Sequence, residues 1–195
     1  MRRHHILVGA RGGSGTTTVS LLLAVAAAGH GNVTVTGHDP GEHRALAGPS
    51  DHDDAIPVSI GPRLRLGSPA PLSDDQVICD LGHLGTAASL PPPMHDGYRW
   101  LVVRGPSYLA LRTALATAWR PDGVILVQEQ GRALSAVDVA DTIEVPVVAT
   151  IPVHPDTARA CDAGLLVHRV HRLPGTRSLF QLVSPTADPT YENVA

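Results

Sequence analysis

The chain has 195 residues, a net charge of −3, fifteen arginines but no lysine, and only 3% aromatic residues. That length suits one domain with a full core, here built from Ala, Val, Leu and Ile, and the slight acidity gives no global drive toward nucleic acid or anionic membrane. Two cysteines, Cys79 and Cys161, stand in unrelated segments without CxxC spacing, which argues against a disulfide framework and for a reducing cytoplasm.

The first predicted strand is 5–9 (HILVG). It runs into Gly9-Ala10-Arg11-Gly12-Gly13-Ser14-Gly15, four glycines in seven residues, and then Thr16-Thr17-Thr18. A helix is predicted over Thr16–Ala28. Its Thr/Ser-rich start can cap free amides, and Gly29 is placed as a left-handed stop. Leu21, Leu22 and Leu23 leave it little polar face, so it should be buried against a sheet. The apolar run Val19 to Ala28 behind Arg2-Arg3 faintly resembles a signal peptide, but glycines break its start and it is too short to span a bilayer.

A second strand follows at 32–36 (NVTVT). Residues 40–75 are Pro- and Asp-rich, with short Val58-Ser59-Ile60 and Leu64-Arg65-Leu66 segments suited to a hairpin. Further strands are predicted at 76–80 (QVICD), 99–103 (RWLVV), 123–127 (GVILV) and 145–150 (VPVVAT). Helices are predicted over Ser107–Trp119, Leu134–Thr142 and Pro155–Ala163. Ser89 to Asp96, with Pro91-Pro92-Pro93, reads as an exposed loop. Nearly continuous apolar strands alternating with helices imply an α/β fold with a mostly parallel central sheet flanked by helices. We read 1–184 as a single domain and 185–195, which lacks any hydrophobic period, as a mobile tail.

An apolar strand, a glycine-rich turn and a helix start have the form of a phosphate-binding loop. In such loops backbone amides cradle phosphate oxygens, a lysine neutralises the β/γ charge and a Ser/Thr hydroxyl binds magnesium. Amides and hydroxyl are present here; the lysine position is Thr16. The same seven residues also fit GxxxGxG, the turn of Rossmann-type dinucleotide-binding oxidoreductases, with Asp39 available to a ribose hydroxyl. The YxxxK of the short-chain dehydrogenases is absent from a lysine-free chain. A plain tight βα turn is the third reading.

Three segments together resemble the ParA/MinD group of deviant P-loop ATPases, and especially its CpaE-like branch. The group's loop is KGGxGKTT, against Arg11-Gly12-Gly13-Ser14-Gly15-Thr16-Thr17-Thr18. Its DxDP-type second-strand end is matched by Gly37-His38-Asp39-Pro40, and its third-strand aspartate by Asp80 in Val77-Ile78-Cys79-Asp80-Leu81-Gly82. Val145 to Pro152, followed by Asp156 and Ala163-Gly164, is similar to the late strand and adenine-side turn. The resemblance implies a P-loop NTPase fold binding ATP or ADP with Mg2+. It implies phosphate binding by Gly12, Gly13, Ser14, Gly15, Thr16, Thr17 and Thr18, and base contacts near Gln128 and Pro152. Thr17 would be the magnesium hydroxyl and Asp80 a carboxylate holding magnesium through water. Asp39 would orient the attacking water, and Arg11 would reach a partner subunit's phosphates in a homodimer.

The departures are as definite. Thr16 replaces the phosphate lysine, Gly37 the first aspartate, and Gln128-Glu129 stand near where an asparagine reads the base. Losing one charge-assisted bond costs on the order of 1.5–3 kcal/mol, roughly 10- to 150-fold in affinity. The expectation is a cytoplasmic, weakly binding or non-hydrolysing scaffold, with a protein partner in a positioning or secretion apparatus. A slow ATPase using Arg11 in trans is the alternative, and a binding module with no nucleotide role a third.

The remaining polar residues carry less. Eleven histidines show neither HExxH nor paired Cys/His spacing, and nearly all of them read as solvated. Cys79 reads as a core residue. His168, Arg169, His171, Arg172 and Arg177 beside Leu165, Leu166, Val167, Val170 and Leu173 read as a solvated helix face, interrupted at Pro174-Gly175.

Overall fold

Runs of β-branched and aliphatic residues with no polar alternation demand burial on both faces, and the computed structural model meets that demand with one sheet between two helical layers. It describes residues 4–37, 39–48, 58–67, 76–83 and 97–184. The strands are β1 (His4–Gly9), β2 (Val33–Gly37), β3 (Val58–Ser59), β4 (Leu64–Leu66), β5 (Gln76–His83), β6 (Tyr98–Gly105), β7 (Gly123–Gln128) and β8 (Val147–Pro152). The helices are α1 (Thr16–Ala28), α2 (Pro40–Ala47), α3 (Tyr108–Leu115), α4 (Ala136–Ile143), α5 (Pro155–Asp162), α6 (Leu166–Arg169) and α7 (Arg177–Leu182), with a 3-10 turn at Val170–Arg172.

The strand order is β3-β4-β2-β5-β1-β6-β7-β8. Every neighbouring pair is parallel except β3–β4, which forms the expected antiparallel hairpin. Alternation along each strand splits the core. Leu7, Trp100, Val102 and Ile125 face the layer containing α1, α6 and α7; Leu101, Val103, Val124 and Leu126 face α3 and α4. Leu21, Leu22 and Leu23 are all buried, as their lack of a polar face requires.

Several element ends differ from expectation. Gly29 is right-handed, with φ −63°, so α1 ends without a left-handed stop; its amide bonds back to Ala26. No Ser/Thr side chain caps the start of α1 either; the cap position is Gly15 at φ 84°. Helix α3 stops at Leu115 rather than Trp119, because the Thr117 hydroxyl turns back onto the Ala114 and Trp119 carbonyls. Strand β5 runs past Asp80 to His83.

Helix α2 was not expected from the Pro- and Asp-rich composition. Asp39 caps it by accepting the Glu42 amide at 3.0 Å, with Pro40 in the first turn. The solvated reading of the histidines is wrong for His5 and His43, both buried. His5 accepts the Trp100 indole N–H at 2.9 Å within a stack that includes Tyr98. The basic stretch near the C-terminus is solvated only on its charged side: Leu166, Val170, Leu173 and Leu179 enter the core against α1. Among the described residues no helix is long and apolar enough to cross a membrane. The expected loop at 89–96 and tail at 185–195 lie outside the described residues.

Because α1 packs on β2, β5, α6 and α7 at once, its leucines anchor the larger core layer. Leu23→Ala is expected to cost about 2–5 kcal/mol, read as a lowered urea midpoint with an unchanged slope.

Candidate functional site

Strand β1 lies between β5 and β6, and the Ala10 amide extends its ladder to Val102. The loop then closes on itself. The Ser14 hydroxyl donates to the Arg11 carbonyl at 2.7 Å, the Ser14 amide donates to the same carbonyl at 3.2 Å, and the Arg11 amide donates to Ser14 Oγ. Buried Ser14 is therefore committed to holding the loop, and neither its hydroxyl nor its amide is left for a phosphate. Gly13 and Gly15 sit at φ 75° and 84°, values a side chain would strain.

The first bond of α1 runs from the Val19 amide to the Gly15 carbonyl at 2.9 Å. The amides of Thr16, Thr17 and Thr18 come before it, with no side-chain cap. These are the donors that give a helix N-terminus its affinity for anions. They border an open cleft of about 440 Å³, lined by the loop together with Glu42, Leu46 and His83.

Placing β5 beside β1 pairs Leu7 with Asp80, and so brings a carboxylate to the loop. Asp80 is buried; Oδ1 accepts the Gly82 amide at 2.8 Å, and Oδ2 lies 3.2 Å from His43 Nε2. Burial pushes its pKa up. The His43 hydrogen bond, the Gly82 amide, the charge on His43 and the Thr17 hydroxyl outweigh that and hold it below the usual carboxylate range. The single Thr17 hydroxyl proton also has Glu42 as an acceptor, with Oγ1 3.1 Å from Oε2, so the two carboxylates compete for it. Ser20 ties the group to α1, donating to the Thr17 carbonyl at 2.8 Å with its oxygen 3.3 Å from His43 Nε2.

The other expected residues divide. Thr16 is buried, and its hydroxyl packs against Gly9, where an added Cβ would lie 2.6 Å from it. The lysine position thus offers no reaching cation. Arg11 is exposed, and its guanidinium has no hydrogen bond or ion pair among the described residues. Asp39 is exposed and caps α2 with one oxygen. Gly37 pairs with Asp80 across β2 and β5, so close that an added Cβ would stand 2.3 Å from the Asp80 carbonyl oxygen. A carboxylate there has no room.

A second, smaller and mainly apolar cavity of about 170 Å³ opens on the other side of the helix start, between Gly15, Thr18 and Leu22 and the residues Val127, Pro152 and His154. Pro152 lines it. Gln128 does not: it is exposed at the end of β7, and its carbonyl accepts the Val153 amide. Arg104 stands on that wall instead, held through Nε by Glu129 at 2.8 Å, which also pairs with Arg132. Cys79 is a core residue whose thiol is pushed up to about 11 by burial and then by the Asp80 charge, so it is no nucleophile at neutral pH.

Glu42, His43 and Arg104 escaped sequence reasoning. The first two were findable, because Asp39-Pro40-Gly41-Glu42 is a capping pattern that announces a helix. No pattern marked Arg104.

Neither a protein-family model nor a curated protein sequence matches this chain. Solved structures do. MinD from Pyrococcus horikoshii, complexed with Mg-ADP, is similar at 19% identity and a TM-score of 0.71, covering 99% of this chain and 100% of its own. A ParA family ATPase from Chlorobium tepidum gives 16% identity and 0.70, covering 93% and 97%. MinD in the Aquifex aeolicus MinC:MinD complex gives 15% and 0.71, covering 91% and 92%. The chain therefore has the ParA/MinD P-loop NTPase fold. The strand order separates it from the dinucleotide-binding alternative: β5 lies between β1 and β2 here, whereas that fold pairs its first two strands directly.

An aspartate at position 37 should harm the protein. Gly37→Asp is expected to lower stability by about 1–3 kcal/mol or more, seen as a reduced thermal midpoint; an unchanged midpoint would mean that β2 and β5 are not packed this closely.

Proposed function

We propose that this chain is a nucleotide-binding protein of the ParA/MinD kind with a degenerate loop, related in character to the CpaE-like branch. The observation that carries the reading is the uncapped start of α1, with three free amides beside Thr17 and Asp80. The amides of Thr16, Thr17 and Thr18, with Gly12 and Gly13, hold phosphate oxygens. The Thr17 hydroxyl and, through water, the Asp80 carboxylate hold Mg2+. These are hard oxygen donors, and among the described residues no cluster of three His/Cys/Asp/Glu forms a cage of its own, which suits an ion shared with phosphates. When bound, Mg2+ supplies the charge neutralisation that the missing lysine does not.

Binding is weak and turnover slow or absent, because Thr16 faces Gly9, Gly37 carries no carboxylate and Asp39 spends one oxygen on a helix cap. Such a protein acts as a positioning or assembly scaffold, cytoplasmic and dimeric, meeting a protein partner in a positioning or secretion apparatus. The lysine-free, arginine-rich composition fits a bacterium with a GC-rich genome. One observation favours a second reading, a slow ATPase: unpaired Arg11 is free to reach a partner subunit's phosphates.

Calorimetry with ATP and ADP, with and without magnesium, is expected to show binding in the high micromolar range. Thr16→Lys should tighten it roughly 10- to 150-fold. Absence of binding in both proteins would sink the nucleotide reading. Single-turnover hydrolysis separates the two functions: clear turnover in wild type, abolished by Arg11→Ala, would replace the scaffold with the ATPase.

A further inference from the structure

Helix α2 brings a carboxylate to the phosphate side of the cleft from outside the loop. Glu42 lines the cleft and accepts the Thr17 hydroxyl, the group proposed to hold magnesium. Its place on α2 is set by Asp39, which caps the Glu42 backbone amide, and by His43, which anchors the next residue to Asp80 and Ser20. Glu42 is thus held over the site by backbone and neighbours while its own side chain remains exposed.

The charge balance around that carboxylate is unusual. Arg11 is the only arginine among the lining residues, and there is no lysine. Against it stands Glu42, while Asp80 on β5 is paired with His43. A bare triphosphate approaching the open amides meets the Glu42 carboxylate, with Arg11 the one arginine on that lining to offset it. A phosphate accompanied by a divalent cation meets two carboxylates and a hydroxyl that are its natural ligands. Gly37, pressed on the Asp80 carbonyl, leaves no room for a carboxylate on β2, and Glu42 delivers one to Thr17 from α2 instead.

We infer that Glu42 couples the two ligands: it opposes binding of metal-free nucleotide at the loop and favours binding of the nucleotide–divalent cation complex. The inference rests on the nucleotide-binding reading above. Glu42 acts as a specificity-determining residue, selecting the charge state of what enters rather than taking part in bond making.

The test is a four-cornered binding cycle: ATP titrated into wild type and Glu42→Gln by calorimetry, in excess chelator and in excess Mg2+. The side chain is exposed and only its backbone amide serves the α2 cap, so Glu42→Gln should keep the wild-type thermal midpoint; Glu42→Ala serves as a second variant. Removing the charge is expected to tighten metal-free ATP binding roughly 5- to 50-fold. The gain conferred by Mg2+ should shrink by a similar factor relative to wild type. Equal metal-free affinities and equal Mg2+ gains within about twofold, in proteins that do bind ATP, would overturn the role of Glu42 and leave the nucleotide reading standing. No ATP binding by any of the three proteins in either condition would overturn that reading itself, and the coupling with it.

Discussion

An α-helix that begins without a cap, at the centre of a sheet, has to satisfy its first amides with something from outside the chain. That constraint organises this molecule. Ser14 is spent on Arg11, Gly15 has no side chain, and Thr16 turns inward to Gly9, so nothing local reaches the donors of the first turn. Free donors at a helix start that opens on a cleft favour an anion there. The sheet serves the same end, because inserting β5 beside β1 is what carries Asp80 to the loop.

The same site lacks positive charge. Where a lysine would reach phosphate, this chain has a buried threonine, and its only arginine at the cleft points to solvent. Around the open amides it gathers acid: Asp80 ionised and held by His43, and Glu42 resting on Thr17. On the proposed function, that balance suits an anion that brings its own cation.

Much of the fold was legible because apolar period is a local property. The strands at β1, β2, β6 and β7 and helix α1 follow from uninterrupted runs such as Ile6-Leu7-Val8 and Val124-Ile125-Leu126, which no loop would carry. Ends were less legible, since they turn on single hydrogen bonds: Thr117 stops α3 and a right-handed Gly29 ends α1. Helix α2 was missed for a different reason. Its eight residues bury little beyond His43 and Ala47, so hydrophobic pattern was silent and the Asp39–Glu42 capping pattern was its one local signal.

The glycine-rich loop and the absence of lysine could be read from residue order alone, because glycine content and charge are properties of the chain. Which groups meet could not. His43 reaches Asp80 across thirty-seven positions and Glu42 reaches Thr17 across twenty-five, contacts that exist only because α2 folds back over the start of α1. That Gly37 excludes a side chain and that Ser14 is consumed internally are likewise facts of packing. A sequence lists the donors and acceptors; the fold decides which of them are already spoken for.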